Sequence, residues 1–359
     1  MFKIEDLFDN PSYSLKRKEK EKLYIEALND LTKHHYSNCI EYKKILDIQN
    51  FDTLRNNEIR DILPMPVRLF KEYDLYSVDK LDIIKTMTSS GTSGQSVSKI
   101  YLDRSTATNQ TKVLSKILSE FLGKKRLPML VIDTKTILKD RNSFSARGAG
   151  ILGFSMFGHD ITYALDENMK IDYSAIEKFM EKHKGKDILV FGFTSIIWEH
   201  FHKQLLNDEK NTINIENGIL IHGGGWKKLQ NESVDSTTFR ELIEKSCGIK
   251  RIHNYYGMIE QTGSIFMECE SGYLHCSNYS DIDILNTNFD KCENNEEGLV
   301  KLYSLLPYSY PGHLLLTEDR GEIIGEDDCP CGRNGKYFKI HGRVKNAEIR
   351  GCSDTYESK

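Results

Sequence analysis

Asp187-Ile188-Leu189-Val190-Phe191-Gly192-Phe193 is a short, almost wholly apolar run, and it reads as a buried strand. Patterned helical segments flank it, Asp172 to Lys184 before and Ser195 to Leu206 after. Working outward, Pro128-Met129-Leu130-Val131-Ile132-Asp133 and Gly218-Ile219-Leu220-Ile221-His222 repeat the apolar run, and Ile249 to Tyr256 makes a fourth strand. Ser105 to Leu122 and Ser236 to Cys247 complete the helices between them. Strand and helix in alternation predict an α/β body, with parallel or mixed sheet covered by helices.

Beyond Gly257 the pattern changes. Gly298 to Leu305, Gly312 to Thr317 and Gly335 to Ile340 are short strands punctuated by Gly and Pro, as in a small β-rich subdomain. Residues 12–37 alternate Lys and Glu with Leu15, Leu23, Ile25, Ala27, Leu28 and Leu31, a helix with one apolar face, and Pro64 and Pro66 break the connection that follows. The expected organisation is a helical N-terminal region packed on the body over 1–84, a nucleotide-binding α/β body over 85–260, a β-rich subdomain over 261–345 and a tail over 346–359.

The 359 residues are 39% hydrophobic and 28% charged, ordinary for a globular chain, and the net charge of −4 leaves no basic footprint for nucleic acid. No apolar run approaches a membrane span and no export signal is visible, so the eight cysteines read as reduced thiols and the compartment as cytoplasm. Oligomeric state is open.

Chemistry concentrates in five segments. Thr88-Ser89-Ser90-Gly91-Thr92-Ser93-Gly94-Gln95-Ser96 offers hydroxyls and glycines and no large apolar group, which suits a loop wrapped on polyphosphate; a flexible linker is the bland alternative. It is not a Walker loop, because no Gly-Lys-Ser/Thr ending follows. The other four each follow a strand, where open α/β sheets collect ligands. His222-Gly223-Gly224-Gly225-Trp226 lets a flat ring lie on bare backbone, and Asn254 to Glu260 sets an aromatic platform before a carboxylate fit for a hard cation. Thr317-Glu318-Asp319-Arg320-Gly321 offers an acid to a ribose diol, and Gly342-Arg343-Val344-Lys345 supplies cations. Singly, each is as readily a turn or a surface charge. His222 and His253 are as readily structural.

In that order the five segments resemble the adenylate-forming superfamily of acyl- and aryl-CoA ligases and luciferases, over roughly residues 85–352. The resemblance implies ATP and Mg²⁺. Thr88, Ser89, Ser90, Gly91, Thr92, Ser93 and Gly94 would hold phosphates, and Gly224, Gly225 and Tyr256 would hold adenine. Glu260 would hold the metal, Asp319 and Arg343 the ribose, and Lys345 would be the hinge. This chain departs from the family in lacking Pro-Lys after the hydroxyl loop, where it reads Ser96-Val97-Ser98-Lys99, and in having Ile259 before the glutamate. It also stops at Lys359, where the superfamily continues into a lid; the expectation is a lidless chain.

That ending is similar to the acyl-protein synthetases (LuxE-type) of bacterial fatty-acid reductase complexes, which implies Cys352 as an acyl-accepting thiol. A thiolate attacking an acyl-adenylate gives a thioester, and a cysteine on a polar tail can reach a partner. The implied substrate is a fatty acid, and the implied partners are an acyl-CoA-reductase-like subunit and an acyl-transferase. Two rivals stand beside this reading: a ligase-like enzyme passing its acyl group to CoA or a carrier protein, and a non-catalytic ATP-binding subunit.

Finally, Cys329-Pro330-Cys331-Gly332 and Cys269 to His275 supply three thiols and an imidazole, the donor set of a structural zinc site, with unligated buried thiols as the alternative. The phenylacetate-CoA ligase branch, which this chain resembles, has Cys and His at comparable places.

Overall fold

The computed structural model describes residues 2–53, 57–89, 96–138, 146–208 and 211–344. These form two compact units, one built from the chain up to Glu120 and again from Gly257, the other from Phe121–Tyr256. In chain order the first unit contributes β1 (Met65–Pro66), β2 (Lys85–Thr88) and β3 (Lys99–Leu102). The second contributes β4 (Leu127–Thr134), β5 (Gly158–Leu165), β6 (Ile188–Phe193), β7 (Gly218–Gly223) and β8 (Arg251–Tyr256). The chain then returns to the first with β9 (Phe266–Glu268), β10 (Leu274–His275), β11 (Ser280–Leu285), β12 (Gly298–Ser304), β13 (Leu314–Glu326) and β14 (Lys336–Arg343).

The second unit is the predicted parallel sheet. Its strands lie in the order β5-β4-β6-β7-β8 and every neighbouring pair is parallel, with Val190 opposite both Leu130 and Leu220. All residues of β6 and β7 are buried, as expected of strands covered on both faces. The helices between them start on side-chain caps: the Asp172 carboxylate accepts from Ala175 N–H, and the Asp235 carboxylate from Thr238 N–H. The helix predicted over Ser195–Leu206 runs from Thr194 to Asn207 through a π-helical turn at Trp198–His202.

The first unit is an antiparallel sheet, β11-β12-β13-β14-β10-β9, with β1 added in parallel to β13 (Met65 opposite Leu315) and β2–β3 as a separate hairpin. The proline-broken connection therefore supplies a strand. Its core joins both ends of the sequence, with Tyr42, Phe70, Ile100 and Leu102 packed with Tyr310 and Leu315. The long helix Arg17–Asn38 buries Tyr24, Ala27, Leu28 and Leu31. No helix among the described residues is long and apolar enough to cross a membrane.

Candidate functional site

In the first unit, the hydroxyl loop closes the β2–β3 hairpin. Thr88 pairs with Lys99, Ser89 N–H donates to the Ser98 carbonyl at 2.9 Å, and Ser98 N–H donates back to Ser89 Oγ at 2.8 Å. The Ser89 hydroxyl thus helps fasten the base of the loop. Ser90, Gly91, Thr92, Ser93 and Gly94 lie outside the described residues. Lys99, the first lysine after the loop, pairs with Asp74 at 3.3 Å.

Glu260 sits in a single helical turn, Ile259–Gln261, and is 3% exposed. Burial, then the Glu260 charge, hold the neighbouring Tyr310 phenol well above its usual range. Two glutamines frame this turn: Gln261 Nε2 donates to the Gly312 carbonyl at 2.9 Å, and Gln110 Nε2 donates to Tyr310 Oη at 3.2 Å. A buried carboxylate held on so short a turn suits a hard cation, which takes oxygen ligands.

Asp319 and Arg343 are direct cross-strand partners on β13 and β14, with Arg343 Nε 3.5 Å from Asp319 Oδ1. Asp319 N–H donates to Thr317 Oγ1 at 3.0 Å, so a hydroxyl two residues before the acid orients its backbone. Two residues widely spaced in sequence are thereby brought together. Lys345 lies outside the described residues.

In the second unit, β7 ends in the glycine turn. A Cβ on Gly223 would stand 2.5 Å from the Tyr255 ring, and Gly224 adopts φ of +80° with Phe193 3.3 Å from where its Cβ would be. Only glycine fits both the contact and the left-handed backbone. Around Gly225 the space is open, and Tyr256 ends β8 half-buried. His222 is structural here: its Nδ1 shares a 3.0 Å hydrogen bond with Thr194 Oγ1 and its ring stacks on Phe239 at 4.5 Å. Burial, with help from the nearby His253 and Arg240, holds it down to about 3, a neutral imidazole. His253 is buried edge-on to Phe121.

The cysteine and histidine segments also converge. The ligating atoms of Cys269, His275, Cys329 and Cys331 all lie within 4.8 Å of one another in the first unit. Cys269 Sγ is 3.9 Å from Cys329 Sγ, and Cys331 Sγ is 3.4 Å from His275 Nε2. An ion about 2.3 Å from sulfur and about 2.0 Å from nitrogen at tetrahedral angles demands separations of about 3.8 Å and about 3.5 Å. Those two separations match a tetrahedral zinc, and the donor set of three thiols and an imidazole suits it. Burial holds His275 down to about 4, a neutral ligand, and pushes the Cys269 and Cys329 thiols up; at Cys331 burial also pushes up, but the Arg333 N–H, the Cys329 thiol and the Arg333 guanidinium together outweigh it and leave that thiol below its ordinary value. Cys276 points elsewhere, its thiol pushed far up by burial. Cys352 lies outside the described residues.

Sequence reasoning missed one buried charge pair. Arg147 and Asp133 are 2% and 1% exposed, with Nε 2.9 Å from Oδ2 and Nη2 donating to Oδ1 at 3.0 Å. They tie the end of β4 to the helix Ala146–Ser155. Along that helix Phe154 stacks on Phe191 at 4.3 Å, so it is core, while Met156 is exposed.

Comparison with known proteins bears on family and fold. The family model described as "Acyl-protein synthetase, LuxE" matches residues 2–359. The chain is 25% identical, over 95% of its length and 89% of the relative's, to the long-chain-fatty-acid–luciferin-component ligase of Aliivibrio fischeri. It is 22% identical to the ligase of the same name from Vibrio harveyi, over 93% and 87%. Among solved structures, 2-hydroxyisobutyryl-CoA ligase in complex with 2-HIB-AMP superposes with a TM-score of 0.68 at 14% identity, covering 92% of this chain and 69% of that one. Its open conformation with 2-HIB-AMP and CoA gives 0.69, covering 95% and 78%. The fold is that of these adenylate-forming ligases.

Proposed function

This chain belongs to the acyl-protein synthetase, LuxE, family, and from that premise we propose that it activates a long-chain fatty acid with ATP and then carries the acyl group as a thioester on Cys352. It is a ligase. In the first step a fatty-acid carboxylate oxygen attacks the α-phosphorus of ATP, forming acyl-AMP and releasing pyrophosphate. In the second the Cys352 thiolate attacks the acyl carbonyl, forming the thioester and releasing AMP. The acyl group then passes to a partner reductase for conversion to aldehyde, with an acyl-transferase supplying the fatty acid.

The observation that carries this reading is the Asp319–Arg343 pair, a carboxylate and a guanidinium joined across β13 and β14 where the family likeness puts the ribose. A carboxylate fixed by a cation and a backbone bond is arranged to accept from a diol. Gly224, Gly225 and Tyr256 serve adenine, and the loop from Thr88 to Gly94 serves the phosphates. Glu260 would hold Mg²⁺, which supplies charge neutralisation of the triphosphate. The first step needs no general base, since the nucleophile is already ionised; positioning and charge stabilisation do the work. The Cys269–His275–Cys329–Cys331 cluster would hold a structural Zn²⁺.

Labelled fatty acid with ATP tests the scheme. Label should appear on the protein in a hydroxylamine-labile bond and vanish in Cys352→Ser, while fatty-acid-dependent ATP–pyrophosphate exchange persists. Normal labelling of Cys352→Ser would remove the cysteine from the mechanism. Formation of a CoA thioester instead would favour a CoA-ligase activity, and absence of exchange with any carboxylate would favour a binding subunit.

A further inference from the structure

Resting on the zinc reading above, we propose that the ion at Cys269, His275, Cys329 and Cys331 fastens the N-terminal strap, residues 11–20, onto the antiparallel unit, so that zinc occupancy and strap docking are thermodynamically coupled. The strap has little regular structure before the helix at Arg17, yet much of its backbone is hydrogen-bonded to other segments. Two asparagines receive it. Asn278 Oδ1 accepts from Ser14 N–H at 3.2 Å and Leu15 N–H at 3.1 Å, while Asn278 Nδ2 donates to the Pro11 carbonyl at 2.8 Å. Asn334 N–H donates to the Tyr13 carbonyl at 3.2 Å, and Asn334 Nδ2 to the Ser14 carbonyl at 2.9 Å.

Both asparagines lie three residues beyond a candidate ligand, His275 or Cys331. The three cysteines sit on two matching Cys-x-x-Gly turns, and His275 follows the first of them on β10. Gly272 N–H donates to the Cys269 carbonyl at 3.0 Å and Gly332 N–H to the Cys329 carbonyl at 2.9 Å, with glycine φ of +81° and +79°. Arg333, two residues beyond Cys331, reaches the other turn at Glu270 (2.5 Å) and lies 5.7 Å from the Tyr13 ring. Tyr13 in turn meets the His275 ring edge-on at 6.2 Å. The strap therefore rests directly on a metal ligand and on the residues the two turns position.

Besides the thiol and imidazole contacts, the two turns are linked by that Arg333–Glu270 pair, by short pairing of β10 with β9 and β14, and by the rings of Tyr273 and Tyr337 at 5.2 Å. An ion bonded to both turns fixes Asn334 in register with Asn278. Without it, the three thiols, two of them buried, and the buried imidazole, all within 4.8 Å of one another, lose the bonds that tie them to one centre, and the receiving asparagines lose their common frame. Reciprocity then requires that a docked strap slow zinc loss.

The test uses the full chain as purified. Metal analysis should give one zinc per chain; no zinc would sink the zinc reading and this inference with it. Where zinc is present, its removal by a chelator under reducing conditions should raise hydrogen exchange across residues 11–17 at least tenfold, with strand 188–193 unchanged, and added zinc should reverse it. Unchanged exchange at 11–17 in zinc-free protein would overturn the coupling while leaving the zinc site standing. Should zinc removal unfold the whole unit, Asn334→Ala decides: this variant should bind zinc yet release it to a chromophoric chelator several-fold faster than the parent. An unaltered release rate would overturn the proposal.

Discussion

Arg147 carries a full charge into the interior of the parallel unit, and Asp133 is its counter-ion at 2.9 Å. Burial pushes the Asp133 carboxyl up, and the Arg147 charge and hydrogen bond oppose that shift. Removing one partner leaves the other desolvated and uncompensated, whereas removing both does not. Arg147→Met should therefore cost about 3–5 kcal/mol in urea unfolding, and the double variant Asp133→Leu/Arg147→Met should recover most of it. A single variant as stable as the parent would show that the pair is not needed. Nothing in the local sequence announces this pair, because an arginine fourteen residues from an aspartate has no periodic relation to it; only the turn of chain from β4 into the helix at Ala146 makes them neighbours. By contrast Gly223 and Gly224 were legible as a special backbone site, since three consecutive glycines announce a place where side chains cannot go. What the sequence did not disclose is the reason at Gly223, which is contact with the ring of Tyr255.

Among the elements, β4, β6 and β7 of the parallel unit were readable because each is a nearly unbroken apolar run, buried on both faces. The edge strand β5 was not, since His159-Asp160-Ile161 faces solvent and breaks the run. In the antiparallel unit β9 and β10 are three and two residues long, too short to carry a period. The β13–β14 register, however, assembles the pair proposed to hold the ribose. It makes neighbours of Asp319 and Arg343, which were picked out separately, and their side chains are 14% and 34% exposed, shielded enough for the pair to matter. Asp319→Asn keeps the shape, removes the charge and weakens acceptance from a ribose diol. It should raise the KM for ATP about tenfold in pyrophosphate exchange, equivalent to about 1.4 kcal/mol, with kcat changed far less. A fall in kcat at constant KM would place Asp319 in the chemical step rather than in nucleotide binding.

At the level of the whole molecule, long-range closure is the least readable feature and the one with the clearest pH consequence. The first unit is closed by residues from both ends of the chain, and its seam is lined with histidines: His35 on the first long helix lies 4.8 Å from His313, ring to ring. His35 bonds Ser77 at 2.8 Å and the Pro307 carbonyl at 3.2 Å, and His313 bonds Thr32 at 3.0 Å. Burial holds both well below the ordinary histidine range, His313 down to about 3, and His222 in the parallel unit is likewise held to about 3. Above the unfolded value of about 6.5 these rings are neutral in folded and unfolded chain alike, and pH has no leverage through them. Below it the unfolded chain takes up protons that the folded chain refuses, so stability falls steadily from about pH 6.5 towards pH 3. At pH 5 His313 and His222 each cost about 2 kcal/mol, enough in combination to threaten a domain of ordinary stability. Urea midpoints should accordingly drop sharply between pH 7 and pH 5. His313→Gln, whose side chain keeps a hydrogen-bonding group toward Thr32 but does not titrate, should show a shallower drop from its own pH 7 value. Equal slopes for parent and variant would show that this ring is not among the groups that set the acid limit.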